Sequence, residues 1–510
     1  MKKAAGLPKR LSSQDAAFWH FERNTMPMNV GSTGIYDGAV HFRNFLEHVE
    51  RRIDLVPRYR QRLMDVPFDL ALPVWVDDPH FDIHAHVTRA RLAPPGDMEQ
   101  LQQIAAEFFA EPLPRDRPLW EMRLVEGLRG GRTAHLAKVH HCMVDGISGV
   151  SLLAALLDLG PRAPAERRRP REIPAPLPTA AELVADALLD NLDEQLARSD
   201  ALLTALLDPL APLRATQSIV RALGAASKYL AVPAPPVPWS MKLNGPTRLA
   251  WQSLPFQEVR AVAKQLGGTI NETVLAALSI ALGRYLHEGG TATADLIVRA
   301  ALPVNVRGDG EGGGLGNRVS FMLVGLPVGE SDPLKQFAAI HEESKTLKDA
   351  GQAAGIDELM RVIGAGPAPM TALLGRWLTS PNTLSHMVCT NVPGPLVPLY
   401  LMGHRMTEHY PWLPLGWRMG MSVAVMSYDT SLGFGFSVDR DAPGDVERLA
   451  TLLRKAFDDL RDAAGLRPAL PALPQELTRT VSPPPPAARP LAVARAVRTS
   501  VPRRRQPAHA

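Results

Sequence analysis

The apolar positions of this chain fall into two stretches of mixed strand and helix periodicity, separated by a segment of different character. In the first stretch the spacing predicts a helix over 98–109 and a strand over Trp120-Glu121-Met122-Arg123-Leu124-Val125, where apolar and polar residues alternate. After the turn signal Gly130-Gly131, residues 133–139 read as another strand and 148–157 as a helix. Between these two stands His140-His141-Cys142-Met143-Val144-Asp145-Gly146. The run therefore occupies a strand-to-helix junction, where Asp145-Gly146 can turn the chain and side chains project into a cleft rather than a core.

The second stretch predicts helices over 256–266, 271–286 and 333–348, and strands over 296–306 and 319–326. A last helix, 446–460, puts Val446, Leu449, Leu453, Phe457 and Leu460 on one face. From about 160 to 238 the composition shifts to Ala, Leu, Pro and Arg, which reads as a linker with helices inside it. One of these starts at the capping box Thr179-x-x-Glu182 and carries Leu183, Leu188, Leu189, Leu192 and Leu196; another covers 213–230. Such helices either brace two domains or lie on a membrane surface.

A chain of 510 residues exceeds what one hydrophobic core usually serves. The expected organisation is an α/β domain over 1–160, the helical linker over 161–240, a second α/β domain over 241–465, and a disordered Pro/Arg-rich tail over 466–510. The formal charge of +4 looks mildly basic, but the tail holds eight Arg and one Glu, and removing its +7 leaves the other 465 residues at −3. The basicity belongs to the tail, so no nucleic-acid footprint is expected on the body. The tail is expected to be solvated, with contact to an anionic membrane as the other reading. Two cysteines, Cys142 and Cys389, make neither a disulfide framework nor a cysteine-rich metal site, so a reducing compartment is expected. Pro8-Lys9-Arg10 interrupts the N-terminus before any apolar signal segment, and no stretch reaches the roughly 18–20 apolar residues that span a bilayer. A soluble or peripheral protein is expected.

The double histidine carries the candidate chemistry. Adjacent histidines near a turn can be plain polar surface, but Asp145 four residues after His141, with Gly146 beyond it, makes a far more specific pattern. A neutral imidazole can take the proton of an attacking hydroxyl, typically worth on the order of 10² to 10⁴ in rate. His141 is assigned as that base, with His140 shaping the loop and direct proton transfer by His140 as the other reading. Cys142 lies between His141 and the apolar Met143-Val144, and reads as a small buried side chain rather than a nucleophile. Adjacent histidines do not converge on one ion as a helical H-x-x-x-H pair does, and no H-E-x-x-H is present, so no metal is expected.

The pattern H-H-x-x-x-D-G resembles the acyltransferases built on the chloramphenicol acetyltransferase plan, which include peptide-synthetase condensation domains and bacterial wax ester synthase/diacylglycerol acyltransferases. The last family is the closer resemblance, because it continues along the chain from about 11 to 464, most of the linker excepted. Leu11-Ser12-Ser13-Gln14-Asp15-Ala16-Ala17-Phe18, Pro27-Met28 and Val30-Gly31 are similar to its opening segment. Pro57-Arg58-Tyr59-Arg60, Pro73-Val74-Trp75-Val76, Phe81-Asp82, His86-Val87 and Pro118-Leu119-Trp120-Glu121 follow in order. So do Leu243-Asn244-Gly245-Pro246, Pro303-Val304-Asn305-Val306-Arg307, Gly316-Asn317-Arg318-Val319-Ser320 and Asn391-Val392-Pro393-Gly394-Pro395. Two positions depart: Asn271-Glu272 stands where the family usually has Asn-Asp, and Asn305 where Ser is frequent.

The resemblance implies two chloramphenicol acetyltransferase-like domains, each a mixed sheet flanked by helices, facing one another across a channel. It implies transfer of a long-chain acyl group from acyl-CoA to diacylglycerol or a long-chain alcohol, without a further cofactor. The expected location is cytoplasmic, with peripheral contact at an inner membrane or lipid-droplet surface. Asp145 and Gly146 then anchor the loop, with Arg307 as the partner of Asp145; the orienting carboxylate of a catalytic triad is the other reading of Asp145. Asn391, Asn271 and Trp120 are candidates for oxyanion contacts or channel lining; Asn391 also reads as a turn residue and Trp120 as core. Two other functions remain open: a condensation-type transfer to another alcohol or an amine, and lipid binding without chemistry.

Overall fold

The helices start where short polar side chains can satisfy their first free N–H groups. Ser12 caps α1 (Ser13–Phe21), accepting from the Asp15 N–H. Strand β1 (Asn29–Tyr36) and α2 (Phe42–Arg52) follow, then the hairpin of β2 (Gln61–Met64) and β3 (Val74–Asp77) and strand β4 (Val87–Arg91). Asp97 and Gln100 form a reciprocal capping box at α3 (Met98–Ala110), which leads to β5 (Trp120–Leu128) and β6 (Arg132–His140). The Thr179–Glu182 box forms as expected and opens α4 (Ala180–Leu207).

The second half continues with β7 (Thr247–Pro255), α5 (Phe256–Gln265), α6 (Ile270–Glu288), β8 (Ile297–Asn305), β9 (Val319–Pro327) and α7 (Pro333–Asp349). It ends with β10 (Met387–Val392), β11 (Tyr400–Leu401), β12 (His404–Trp412), β13 (Met421–Tyr428), β14 (Ser431–Asp439) and α8 (Val446–Ala463). The computed structural model describes residues 9–143, 155–162, 175–207, 234–305, 319–353 and 384–468, all within one contact unit, Met1–Pro468. The tail, the helix expected over 213–230 and most of that over 148–157 lie outside the described residues. Among the described residues no single helix is long and apolar enough to cross a membrane.

Two six-stranded sheets organise these elements, in the orders β11-β12-β1-β6-β5-β4 and β7-β14-β13-β10-β8-β9. Both are mixed: β4 runs parallel to β5, and β10 runs parallel to β8 and β13, while the remaining pairs are antiparallel. Helix α6 packs inside the second sheet's core with nearly every residue from Val274 to Leu286 buried, which explains its apolar character on all sides. Helix α3 lays Leu101, Ala105, Phe108 and Phe109 on the first sheet and reaches Leu249 and Trp251 of β7.

Strand pairing links the late part of the chain to the first sheet. Strand β12, late in the chain, pairs with β1 of the first sheet from Gly31–Trp412 to Tyr36–Met406. Strand β14 lies directly against β12: a Cβ on Gly433 or Gly435 would collide with the carbonyl oxygen of His409 or Pro411. Glycine is needed there for close backbone approach.

This crossing buries a histidine pair. Gly34 of β1 lies opposite His135 on β6 and His409 on β12, so both rings share one face of the sheet. A Cβ on Gly34 would sit 3.0 Å from the His135 ring. Tyr36 Oη contacts His135 Nδ1 at 2.8 Å, and the Tyr428 ring lies 6.0 Å from His409. Burial holds His135 down to about 3, helped by the nearby His409, and burial holds His409 down to about 4.

Both rings are therefore neutral in the folded protein at pH 7, whereas in the unfolded chain they titrate near 6.5. The unfolded state binds more protons between those values, so this contribution to stability is complete above about pH 6.5 and is lost as pH falls toward 4. Thermal melts at pH 7 and pH 5 should show a lower Tm at pH 5. His409→Leu should shrink that difference; an unchanged difference would contradict the neutral pair.

Candidate active site

Strand β6 delivers the double histidine to its end. His140 is its last residue and is fully buried; His141 begins a short 3-10 turn, His141–Met143. Backbone bonds fix this corner: His140 N–H donates to Leu119 O (2.9 Å) and His141 N–H to Met28 O (2.7 Å). The Cys142 N–H donates to His140 Nδ1 at 3.1 Å, so in the neutral ring the proton of His140 sits on Nε2.

Helix α1 closes over the pair. The Phe18 ring stacks on His141, with centroids 3.7 Å apart and planes 15° apart, and Trp19 meets His140 edge-on at 5.9 Å. His141 remains half-buried, with its Nδ1 sealed from solvent. Burial pulls its pKa down to about 4, against the upward pull of its own carbonyl and reinforced by His140. His141 is thus an uncharged imidazole at neutral pH, able to accept a proton. Cys142 is buried and its thiol is pushed well above the usual range by burial and by the nearby Asp15 and Glu22, which keeps it protonated.

The other expected site residues divide into three groups. Asn271, at the start of α6, and Asn391, near the end of β10, come together: Asn391 Nδ2 donates to Asn271 Oδ1 at 3.5 Å. Trp120 corrects the channel expectation. It is completely buried, its indole N–H donates to Tyr59 O at 2.8 Å and His86 stacks on it at 4.5 Å, so it is core. Asp145, Gly146 and Arg307 lie outside the described residues.

Glu272, the departure beside Asn271, has a structural task. Its side chain, 3% exposed, closes the capping box with Thr269 and meets His341 Nδ1 at 2.9 Å and Lys348 Nζ at 3.2 Å on α7. Burial alone would raise its pKa, yet the contacts with His341, the Thr269 N–H and Lys348 leave it lowered. Among the described residues no cluster of three or more His, Cys, Asp or Glu is placed to hold a metal ion.

The expectations drawn from position and pattern missed the surroundings of the pair: Phe18, Trp19 and Glu22 from α1 and its cap, and Arg115 behind them. Their signal was the opening segment itself, where Phe18, Trp19 and Glu22 fall on successive turns of one helix end.

Comparison with known proteins shows the family. The family model for the wax ester synthase/diacylglycerol acyltransferase catalytic domain matches residues 11–274, and the model for the WS/DGAT C-terminal domain matches 315–461. A Mycobacterium tuberculosis protein named as a probable diacylglycerol O-acyltransferase, tgs1, is 32% identical over 453 residues, covering 86% of this chain and 93% of that protein. The fold matches the wax ester synthase/diacylglycerol acyltransferase from Marinobacter aquaeolei VT8, with TM-score 0.62, 24% identity, and coverage of 90% of this chain and 100% of the other. It also matches the starter condensation domain of rhizomide synthetase in complex with C8-CoA and Leu-SNAC, with TM-score 0.54, 14% identity, and coverage of 90% and 94%.

Because Glu272 is a buried cap rather than part of the reaction site, Glu272→Ala should cost about 1–2 kcal/mol of stability, its partners being half-exposed. Chemical denaturation should show that loss while activity per folded molecule stays at the parent level; a selective loss of activity would return Glu272 to the site.

Proposed function

Since the chain belongs to the wax ester synthase/diacylglycerol acyltransferase family and is an acyltransferase, we propose that it moves a long-chain acyl group from acyl-CoA to the hydroxyl of diacylglycerol or a long-chain alcohol, with His141 as general base. The observation that carries the assignment is the neutral, half-buried imidazole at the end of β6. The fold neighbour holding C8-CoA supports a coenzyme A thioester as donor, and the name of the mycobacterial relative supports diacylglycerol as acceptor.

In this reading the acceptor hydroxyl gives its proton to His141 as its oxygen attacks the thioester carbonyl carbon. The C–O bond forms and the carbonyl electrons move onto oxygen. Collapse of that tetrahedral oxyanion breaks the C–S bond, and the leaving thiolate takes the proton back from the imidazolium. Ester and free coenzyme A result, with no covalent enzyme intermediate. A base held near pKa 4 is always ready but weak, because general bases work best with a pKa near the operating pH. Stabilisation of the oxyanion supplies a large share of such acceleration, and Asn391 is the candidate donor for it.

Purified protein given one labelled acyl-CoA and each acceptor separately should release thiol only when an acceptor is present and should form the corresponding ester. His141→Ala should stay folded and lose on the order of 10² to 10⁴ in kcat/KM. Thiol release without acceptor, or a fully active His141→Ala, would overturn the assignment; amide formation with an amine acceptor would move it toward condensation chemistry.

We also propose peripheral contact with an uncharged lipid surface through α4. Leu183 and Ala187 pack on Val66, Val74 and Val76 of the β2–β3 hairpin, and Arg10 pairs with Asp186 and Asp190. The opposite face presents Leu188, Leu189, Leu192 and Leu196, 43–65% exposed, without a charged residue among them. The acidic Glu182 and Asp193 border this stripe, which disfavours an anionic surface. Flotation with phosphatidylcholine vesicles containing diacylglycerol should recover the protein, and Leu188→Gln/Leu192→Gln/Leu196→Gln should lose that recovery. Undiminished flotation would place the contact elsewhere.

A further inference from the structure

One carboxylate behind the histidine pair has no assigned task. Glu22 stands at the C-cap of α1 and its side chain is 7% exposed. Its Oε1 accepts the Met28 N–H at 3.1 Å and lies 3.4 Å from His140 Nε2; its Oε2 accepts from Arg115 Nη2 at 3.0 Å and Nε at 3.3 Å. Arg115 in turn lies over the Trp19 ring at 3.8 Å, on the helix turn that packs both imidazoles.

These contacts converge on the corner that holds His141. Met28, whose N–H Glu22 receives, is the residue whose carbonyl accepts the His141 N–H. His140, whose Nε2 faces Glu22, is the ring whose Nδ1 accepts the Cys142 N–H. The amides on both sides of the turn, those of His141 and Cys142, are thus each one step removed from the same carboxylate. His140 Nε2 is buried and has no hydrogen-bond partner among the described residues, and Glu22 Oε1, 3.4 Å away, is the carboxylate that faces it. A carboxylate facing Nε2–H favours the tautomer that leaves Nδ1 free to accept from the Cys142 N–H.

We propose that Glu22 is the positioning residue of the reaction: through His140 and Met28 it fixes the turn that aims His141 at the acceptor hydroxyl, without touching substrate itself. The proposal rests on His141 as the base. It gives the orienting role to a carboxylate seven residues before β1, held in place by Arg115, and makes His140 the intermediary between that carboxylate and the turn.

Glu22→Gln tests it with little change of shape. An amide cannot accept from Arg115 with one end and from Met28 and His140 with the other, so one side of the hub is lost in either orientation. The expected result is a kcat reduced by about 10- to 100-fold, the scale of a base displaced by up to an ångström, with KM for acyl-CoA and acceptor within about 3-fold. Glu22→Asp, which keeps the charge, should recover part of the loss. In His141→Ala the further change Glu22→Gln should add little, because two residues acting through one step are non-additive.

A spectroscopic arm stands apart from activity. In ¹⁵N-histidine-labelled parent protein, with His140 assigned by comparison with His140→Gln, ring chemical shifts should show the Nε2–H form, and Glu22→Gln should mix the two tautomers. A parent His140 protonated on Nδ1, a folded Glu22→Gln with parental kcat, or fully multiplicative losses with His141→Ala would each overturn the positioning role. A fully active His141→Ala alongside the expected tautomer change would instead remove the base assignment and leave the contact of Glu22 with His140 standing. If Glu22→Gln does not fold, the parent tautomer and the kcat of Glu22→Asp decide.

Discussion

The pairing of β12 with β1 is the constraint on which the rest is built. β1 has hydrogen-bonding edges on both sides: β6, carrying the histidine pair, takes one and β12 takes the other. Without β12 the first sheet would end in an open edge at β1, a row of unsatisfied backbone groups facing water or another chain. The second sheet's β14 is pressed against β12 through glycines, so the surface that supports β1 is itself fixed by the second core. The position of His141 therefore depends on residues some 270 positions further along the chain.

Local order was legible where periodicity and caps decide it. The strand over 120–125 extends to Leu128, that over 133–139 becomes Arg132–His140, and the helix over 98–109 becomes Met98–Ala110. Helix α6 starts at Ile270 because Thr269 and Glu272 cap it, one residue before the apolar pattern becomes evident. Strand partnership was not legible, since alternation in β12 tells which face is apolar and nothing about which strand lies beside it. The leucines of α4 show the same limit: periodicity puts them on a helix, but only the packing of Leu183 on the β2–β3 hairpin reveals which of them turn outward. Trp120 could be read as core or channel from its motif, and the bond from its indole to Tyr59 O decides for core.

The candidate site was legible in its histidine pair and hidden in the residues around it. His140 and His141 stand out because two imidazoles followed by Asp145-Gly146 form an uncommon pattern. Glu22 and Arg115 do not, because charged residues near a helix end ordinarily face solvent. The burial of Glu22 beside His140, and the placing of Arg115 over Trp19, arise only when the segment before β1 folds across the end of β6. The same burial sets the electrostatics: His141, His135 and His409 are all held neutral by desolvation, yet of the three only His141 is partly exposed.

The late strand in the early sheet also sets the order in which the polypeptide can mature. During synthesis, β1 and β6 leave the ribosome long before residue 412 exists, so the first sheet waits with one side of β1 uncovered while the linker and most of the second domain are made. Contacts of such long sequence separation slow folding, because loop closure has to precede the pairing. The nascent chain thus passes through a prolonged interval with an exposed strand next to a nearly finished histidine corner. An uncovered strand edge in that interval is open to pairing with another chain until β12 arrives.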